Sequence, residues 1–552
     1  MTPGRRTLPP DTVEAYHRNG WWSSTTVVDD LLAQVATRPD RTAVVSYRSG
    51  HPEPERHTFA DLDRLSRRVA GALIDLGVER GDVVSMQLPN SWPFPVLVYG
   101  ILRAGAVVNP LVPIFRSREL SFVLGRTESR VLVVPDRFRG HDHQAMALDL
   151  VGSTPGLEHV IVVGDGTGPD AIDFASFVLD RPWEDEPGLD DELARRAPAA
   201  DDLVQIQFTS GTTGEPKGVL HSHNTIRSGS RPVDEVYGLG PDDVCFMAST
   251  LAHQTGFGYG MTASLGRGMT VVYQDVWDPE QMLDAVAAEG ITWTVSATAF
   301  AMDMVAAQRR APRDLSTFRY FICGGAPIPP KVVEEAAEVL GAELIAVWGM
   351  TENMIVTTTR PGDPVELVSD SDGIPVDWME IRIIDEDGRP VGVNGSGALQ
   401  IRGPNQALGY YHRPDLYAAA NPEGEWFDTG DVARLRPDGG IRIVGRTKDL
   451  VIRGGENIPV AEVEDLLLRH PAVADVAVVA MPDDRLGERA CAVITADGEP
   501  PTLAELTAFC QEAGMAKQFW PERLEVVDEF PRTPSGKIQK FKLRQTLAGE
   551  EG

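Results

Sequence analysis

The chain has 552 residues, of which 42% are hydrophobic and 24% charged, with a formal net charge of −30 at pH 7. That length exceeds one ordinary hydrophobic core and predicts two or more domains. The acidic balance excludes general affinity for nucleic acid or anionic membrane surfaces, so an anionic substrate must be met by local positive charge.

Along the chain, Arg5 and Arg6 precede no apolar stretch, so no secretory signal is read. Leu62, Leu65, Val69, Leu73 and Leu76 recur at helical spacing, with Gly77 placed as a C-cap. Apolar runs predict strands over 83–88, 131–134, 160–163, 203–208, 319–323 and 343–347. Helical stretches separate them, which indicates an α/β fold with largely parallel sheets. Two stretches, 85–102 and 244–266, lack Asp, Glu, Lys and Arg. Their prolines and Gly/Ser/Thr content mark them as buried core and pocket wall rather than bilayer spans. The Pro- and Asp-rich run over 181–202 is expected to be a surface connection.

From about residue 374, DG and NG turns separate short strands over 381–384, 398–401 and 441–444, a β-rich subdomain. After Lys448 the pattern becomes α+β, with helices over 460–468 and 503–510 and strands over 476–480 and 490–495. The expected division is a large domain over 1–447 and a small one over 448–552. The four cysteines show neither metal nor CxxC spacing, which fits a reducing, cytoplasmic setting.

The densest chemical signal is Ile206-Gln207-Phe208-Thr209-Ser210-Gly211-Thr212-Thr213-Gly214-Glu215-Pro216-Lys217. Glycines let backbone N–H groups turn toward one centre. Thr209, Ser210, Thr212 and Thr213 add hydroxyl donors and Lys217 a charge, a donor set suited to a polyphosphate. Gly218 follows Lys217, so the loop is not a Walker A motif. Lysine is scarce in this chain: seven of the 51 basic residues. Lysine is a compact point charge where arginine is a planar fork. Lys217, Lys448 and Lys537 lie in glycine-containing or charged turns and are read as chemical candidates; Lys331, Lys517, Lys540 and Lys542 suit a solvated surface.

Five further segments follow in order: Cys323-Gly324-Gly325-Ala326-Pro327, Trp348-Gly349-Met350-Thr351-Glu352, Trp426-Phe427-Asp428-Thr429-Gly430-Asp431, Gly445-Arg446-Thr447-Lys448-Asp449 and Pro534-Ser535-Gly536-Lys537. The series resembles the adenylate-forming superfamily of acyl-CoA synthetases, peptide-synthetase adenylation domains and beetle luciferase. The resemblance implies two steps. A carboxylate attacks the α-phosphate of MgATP to give an acyl-adenylate and pyrophosphate, and a thiol such as CoA then displaces AMP. It also implies a small C-terminal domain that rotates between the steps.

The resemblance assigns the glycine loop from Thr209 to Lys217, including Gly211 and Gly214, to the β- and γ-phosphates. It places Gly324, Gly325 and Ala326 beside adenine, stacks Trp348 on the ring, and sets Gly349 and Met350 in the same motif. Thr351 would contact the α-phosphate and Glu352 would be the magnesium ligand, as a hard cation prefers carboxylate oxygen. Asp431 and Arg446 would hold the ribose. Lys448 falls at the hinge and Gly455 on the pantetheine tunnel. Lys537 would bridge the carboxylate and phosphate, two anions whose repulsion opposes reaction. His253 corresponds to a residue gating the acyl and thiol channels, with a buried structural histidine as the alternative. Ala398, Glu425 and Asp428 depart from the usual pattern.

The segment Ser249–Gly258 has no acidic residue to pair a substrate ammonium, so an uncharged acyl tail is expected. Gln254 stands where siderophore aryl-acid activators carry Asn, and Gly349 where acetate-specific members carry a second Trp. The tail Ala516–Arg523 resembles medium-chain and alicyclic acid CoA ligases, which implies a place in fatty acid metabolism. No carrier-protein domain follows residue 552, so CoA is the simpler acceptor. The alternatives are a stand-alone enzyme loading a carrier protein and a non-catalytic AMP- or acyl-binding paralogue.

Overall fold

The computed structural model describes residues 2–209, 216–325, 328–422, 424–446, 451–453, 456–458, 460–483, 487–513, 515, 517–532 and 537–548. Apolar β-branched runs build two large sheets. One has seven strands in the order Lys217–Ser222, Leu203–Thr209, Val107–Pro110, Val83–Met86, Val131–Pro135, His159–Val163, Ile172–Asp173. Only its first pair is antiparallel. The other has nine strands: Ile374–Pro375, Met354–Thr358, Glu343–Met350, Tyr320–Gly324, Trp293–Ser296, Val244–Met247, Thr270–Gln274, Thr42–Tyr47 and Glu55–Thr58. Its six central strands are parallel and its edges antiparallel. Parallel strands buried on both faces must be apolar throughout, which is why the runs are continuous rather than alternating.

The charge-free segments are core, as expected. Every residue of the helix Pro93–Arg103 is buried, and Phe257 to Ala263 line an interior π-helical stretch. The helix over Phe59–Asp75 ends at Leu76, with Gly77 at φ +76°. One expectation is corrected: 181–202 is not merely a surface connection. Trp183 is buried against Gly71 and Leu189–Arg196 is helical, because the indole supplies more apolar area than the surrounding Pro and Asp residues suggest.

An antiparallel sheet follows: Glu380–Ile384, Ser396–Arg402, Phe427–Leu435 and Ile441–Arg446. The C-terminal lobe is a separate five-stranded sheet built around Val473–Asp483 and Gly487–Ala496. Helices Val460–Leu467, Leu503–Glu512 and Lys540–Ala548 accompany it. Its core of Val451, Val463, Leu467, Val478, Ile494 and Leu506 is distinct from those of the N-terminal sheets. All four cysteines are buried and unpaired. Among the described residues, no helix is long and apolar enough to cross a membrane.

Candidate active site

The site forms where parallel strands end and glycines let backbones meet. Tyr320–Gly324 and Glu343–Met350 run side by side, with Gly324 opposite Val347. A β-carbon on Gly324 would lie 2.5 Å from the Val347 carbonyl oxygen, so only glycine fits. Gly325 follows in the left-handed region at φ +81°. Trp348, next along the neighbouring strand, is buried and donates its indole N–H to Asp431 Oδ2 at 3.0 Å. Asp431 lies in the antiparallel sheet with Arg446 directly opposite in register. Gly324, Gly325, Trp348 and Asp431 are therefore near neighbours.

A second wall begins at Thr209, which pairs with Lys217 across the mouth of the glycine loop. The Lys217 ammonium lies 4.9 Å from the centre of the Tyr410 ring. The Tyr410 hydroxyl donates to Glu352 Oε1 at 2.6 Å. One tyrosine thus holds a cation by its face and a carboxylate by its hydroxyl. His221 is buried, and desolvation lowers its pKa to about 4. Its neutral ring donates from Nε2 to the Thr351 carbonyl at 2.7 Å and faces Thr225 Oγ1 through Nδ1 at 3.0 Å. The Ala407 N–H donates to the Glu352 carbonyl at 2.7 Å, so Thr351 and Glu352 are fixed by their backbone on both sides.

The third part surrounds His253. His253 is partly buried, and desolvation, reinforced by the Lys537 ammonium nearby, lowers its pKa to about 4. Lys537 is exposed, and its Cε lies 4.0 Å from where a β-carbon on Gly325 would stand. A lysine more than 200 residues from both is thereby brought beside the glycine turn and near enough to His253 for its charge to act there. Gln254 is buried and accepts from Gln205 Nε2, while its own Nε2 has no hydrogen-bond partner among the described residues.

Gly349 has a backbone reason to be glycine. A β-carbon there would lie 2.0 Å from the Met354 carbonyl oxygen, at a bulge in the hairpin joining Trp348 to Ile355. Its small size therefore reflects hairpin geometry and does not by itself measure the pocket. Met350 pairs with Met354 in that hairpin. Met354, at φ +53°, lays its side chain over Gly229 and Gly258; β-carbons on those glycines would meet Met354 Sδ at 2.2 Å and Cε at 2.6 Å.

The structure thus brings together Thr209, Lys217, Gly324, Gly325, Trp348, Gly349, Met350, Thr351, Glu352, Asp431, His253 and Lys537. Ser210, Gly211, Thr212, Thr213, Gly214, Ala326, Lys448 and Gly455 lie outside the described residues, as does the side chain of Arg446. Tyr410, His221, Gln205 and Met354 were not found by sequence reasoning. Only their contacts mark them, and those span up to 130 residues of chain.

Residues 31–411 match the model of the AMP-binding enzyme family and residues 462–537 that of the AMP-binding enzyme C-terminal domain. The chain belongs to this family of adenylate-forming enzymes. It is 35% identical to the medium-chain fatty-acid–CoA ligase of Escherichia coli strain K12 over 97% of this chain and 92% of the relative. It is 34% identical to the salicyl-AMP ligase / salicyl-S-ArCP synthetase of Mycobacterium tuberculosis strain ATCC 25618 / H37Rv, over 98% and 94% of the two chains. Among solved structures, the anthranilate CoA ligase AuaEII in complex with anthranoyl-AMP superposes with a TM-score of 0.85 at 27% identity, covering 95% of this chain and 97% of that one.

Proposed function

We infer that the protein is an ATP-dependent acyl-CoA synthetase that activates an uncharged carboxylic acid of medium-chain, alicyclic or aromatic type as its acyl-adenylate and passes the acyl group to CoA. The observation that supports this reading is that Lys537 lies beside Gly325 and near His253, the residues read here as bordering nucleotide and acyl group.

In this reading Gly324, Gly325 and Trp348 receive the adenine, Asp431 takes the ribose hydroxyls, and Thr209 with Lys217 holds the outer phosphates. Lys537 contacts the substrate carboxylate and the α-phosphate together, offsetting their repulsion as the new bond forms. Glu352 would hold a magnesium ion. A magnesium ion of this kind is held by one or two carboxylates together with phosphate oxygens and water. That ion would supply charge neutralisation on the phosphates. His253, neutral at pH 7, can border the channel without adding charge. The hinge role of Lys448, the tunnel role of Gly455 and the division at residue 447 belong to the same proposal.

Acid-dependent pyrophosphate release across C2–C16, aromatic and alicyclic acids, followed by acyl-CoA detection, tests this. Release without acyl-CoA formation would remove the CoA assignment. Lys537→Ala should slow adenylation by about 100-fold or more while sparing thioester formation from supplied acyl-adenylate. Equal loss of both steps would refute the bridging role.

A second reading, an aryl-acid adenylating enzyme loading a carrier protein, is favoured by Gln254. Its unpartnered Nε2 lies in the acyl wall, 3.4 Å from where a Gly258 β-carbon would stand, and can meet a ring hydroxyl. Acyl transfer to a carrier protein but not to CoA would select it.

A further inference from the structure

The geometry points to Arg434 and Arg442 as positioning residues: they form an ionic dock that holds the C-terminal lobe where Lys537 reaches the site, and so serve the adenylation half-reaction selectively. This rests on the role of Lys537 given above.

The two arginines belong to the N-terminal body. They lie on the strands Phe427–Leu435 and Ile441–Arg446, whose Phe427, Ala433 and Ile441 join the large core. The helix Val460–Leu467 belongs to the other lobe, with Val460, Val463 and Leu467 in the separate C-terminal core. The two bodies meet through charge. Arg442 Nη2 lies 2.9 Å from Asp465 Oδ2, and Arg434 Nη1 lies 2.8 Å from Glu462 Oε1. Arg442 Nη1 also lies 3.8 Å from Asp372 Oδ1, and Asp372 Oδ2 accepts the Ile443 N–H at 2.7 Å.

The side chains of Arg442, Asp372 and Asp465 are only 10%, 12% and 16% exposed, so the inner pair is little screened. The Arg434–Glu462 pair is more open, at 33% and 44%, and contributes less. Glu462 and Asp465 are three residues apart and share one helix face. Glu464, between them, accepts from Lys540 Nζ at 2.6 Å and from the Val478 N–H at 2.5 Å. Lys540 opens the helix that begins three residues after Lys537. The docked helix is therefore held by arginines on one side and grips the Lys537 segment on another. Asp372 stays with Arg442 when the helix leaves, so undocking strands no buried guanidinium.

The test uses the full chain. Asp465→Asn should slow acid-dependent pyrophosphate release about tenfold, the size expected of one charge-assisted bond. Thioester formation from supplied acyl-adenylate and CoA should be unchanged, as should the thermal midpoint. Arg434→Glu should slow the first step, and the transposed Arg434→Glu/Glu462→Arg should restore it. Equal loss in both half-reactions, or in neither, overturns the dock. Dyes on Met302→Cys and Val526→Cys, both exposed positions, give a readout without substrate. Asp465→Asn should broaden their distance distribution, and an unchanged distribution also overturns the dock. A wild-type chain silent toward every acid defeats the functional reading alone, because the distance measurement still judges the dock.

Discussion

Trp348 and Asp431, 83 residues apart, are joined by a 3.0 Å hydrogen bond from the indole N–H to Oδ2. The ring expected against adenine and the carboxylate expected against ribose are thus fixed relative to each other before any nucleotide arrives. Asp431→Ala should raise the KM for ATP about 10- to 100-fold, as hydrogen bonds to a charged acceptor are lost and the indole donor is orphaned. Trp348→Phe keeps a stacking face and should cost only a few-fold. ATP titrations of pyrophosphate release check both; equal effects would contradict the division of roles.

Tyr410→Phe removes the donor that orients Glu352 while leaving the ring beside Lys217. A lost partner of a metal-holding carboxylate typically costs about 10- to 100-fold in metal affinity. The magnesium concentration for half-maximal activity should rise by that factor with little change in the KM for the acid. An unchanged magnesium dependence would show that the hydrogen bond serves packing alone.

Met354→Ala should widen the acids accepted. The thioether fills the space left by Gly229 and Gly258, next to the Gln254 amide. Truncation opens that space at a cost of about 2–5 kcal/mol in stability. Relative kcat/KM should shift toward longer or bulkier acids in the panel. The same ranking as wild type would exclude Met354 from the acyl wall.

Four histidines with lowered pKa should weaken the fold as pH falls. Burial lowers His143, His221, His223 and His253 to about 4 each. Unfolded, each titrates near 6.5, so between about 6.5 and 4 the unfolded chain binds more protons and stability falls as pH falls. Each contributes a slope of up to about 1.4 kcal/mol per pH unit. Urea unfolding at pH 7 and pH 5 measures the difference; equal midpoints would mean that the rings gain protons without penalty.

Much of the fold was legible because buried parallel strands must be continuous apolar runs, and Val131–Pro135, Leu203–Thr209 and Glu343–Met350 fall where such runs predicted. The glycine turns were legible for a similar reason: close backbone approach admits one residue type, as at Gly324. What pairs across the chain was not. Tyr410 looks like any buried aromatic until its hydroxyl is found on Glu352, 58 residues away. Arg442 reads as the polar member of an alternating strand, and the packing of a later helix makes it a buried ion. Gly349 shows a second limit, because the hairpin behind it demands glycine whatever the pocket needs.

The buried cysteines carry a chemical consequence. An acyl phosphate anhydride acylates any thiolate within reach, and Cys323 is the immediate neighbour of Gly324. Burial pushes the thiols of Cys245 and Cys323 up to about 12 and that of Cys491 to about 11, and raises Cys510 as well. Near neutral pH Cys323 stays protonated, and its sulfur is shielded beside Thr298. In the proposed reaction these buried thiols would therefore not compete for the acyl group.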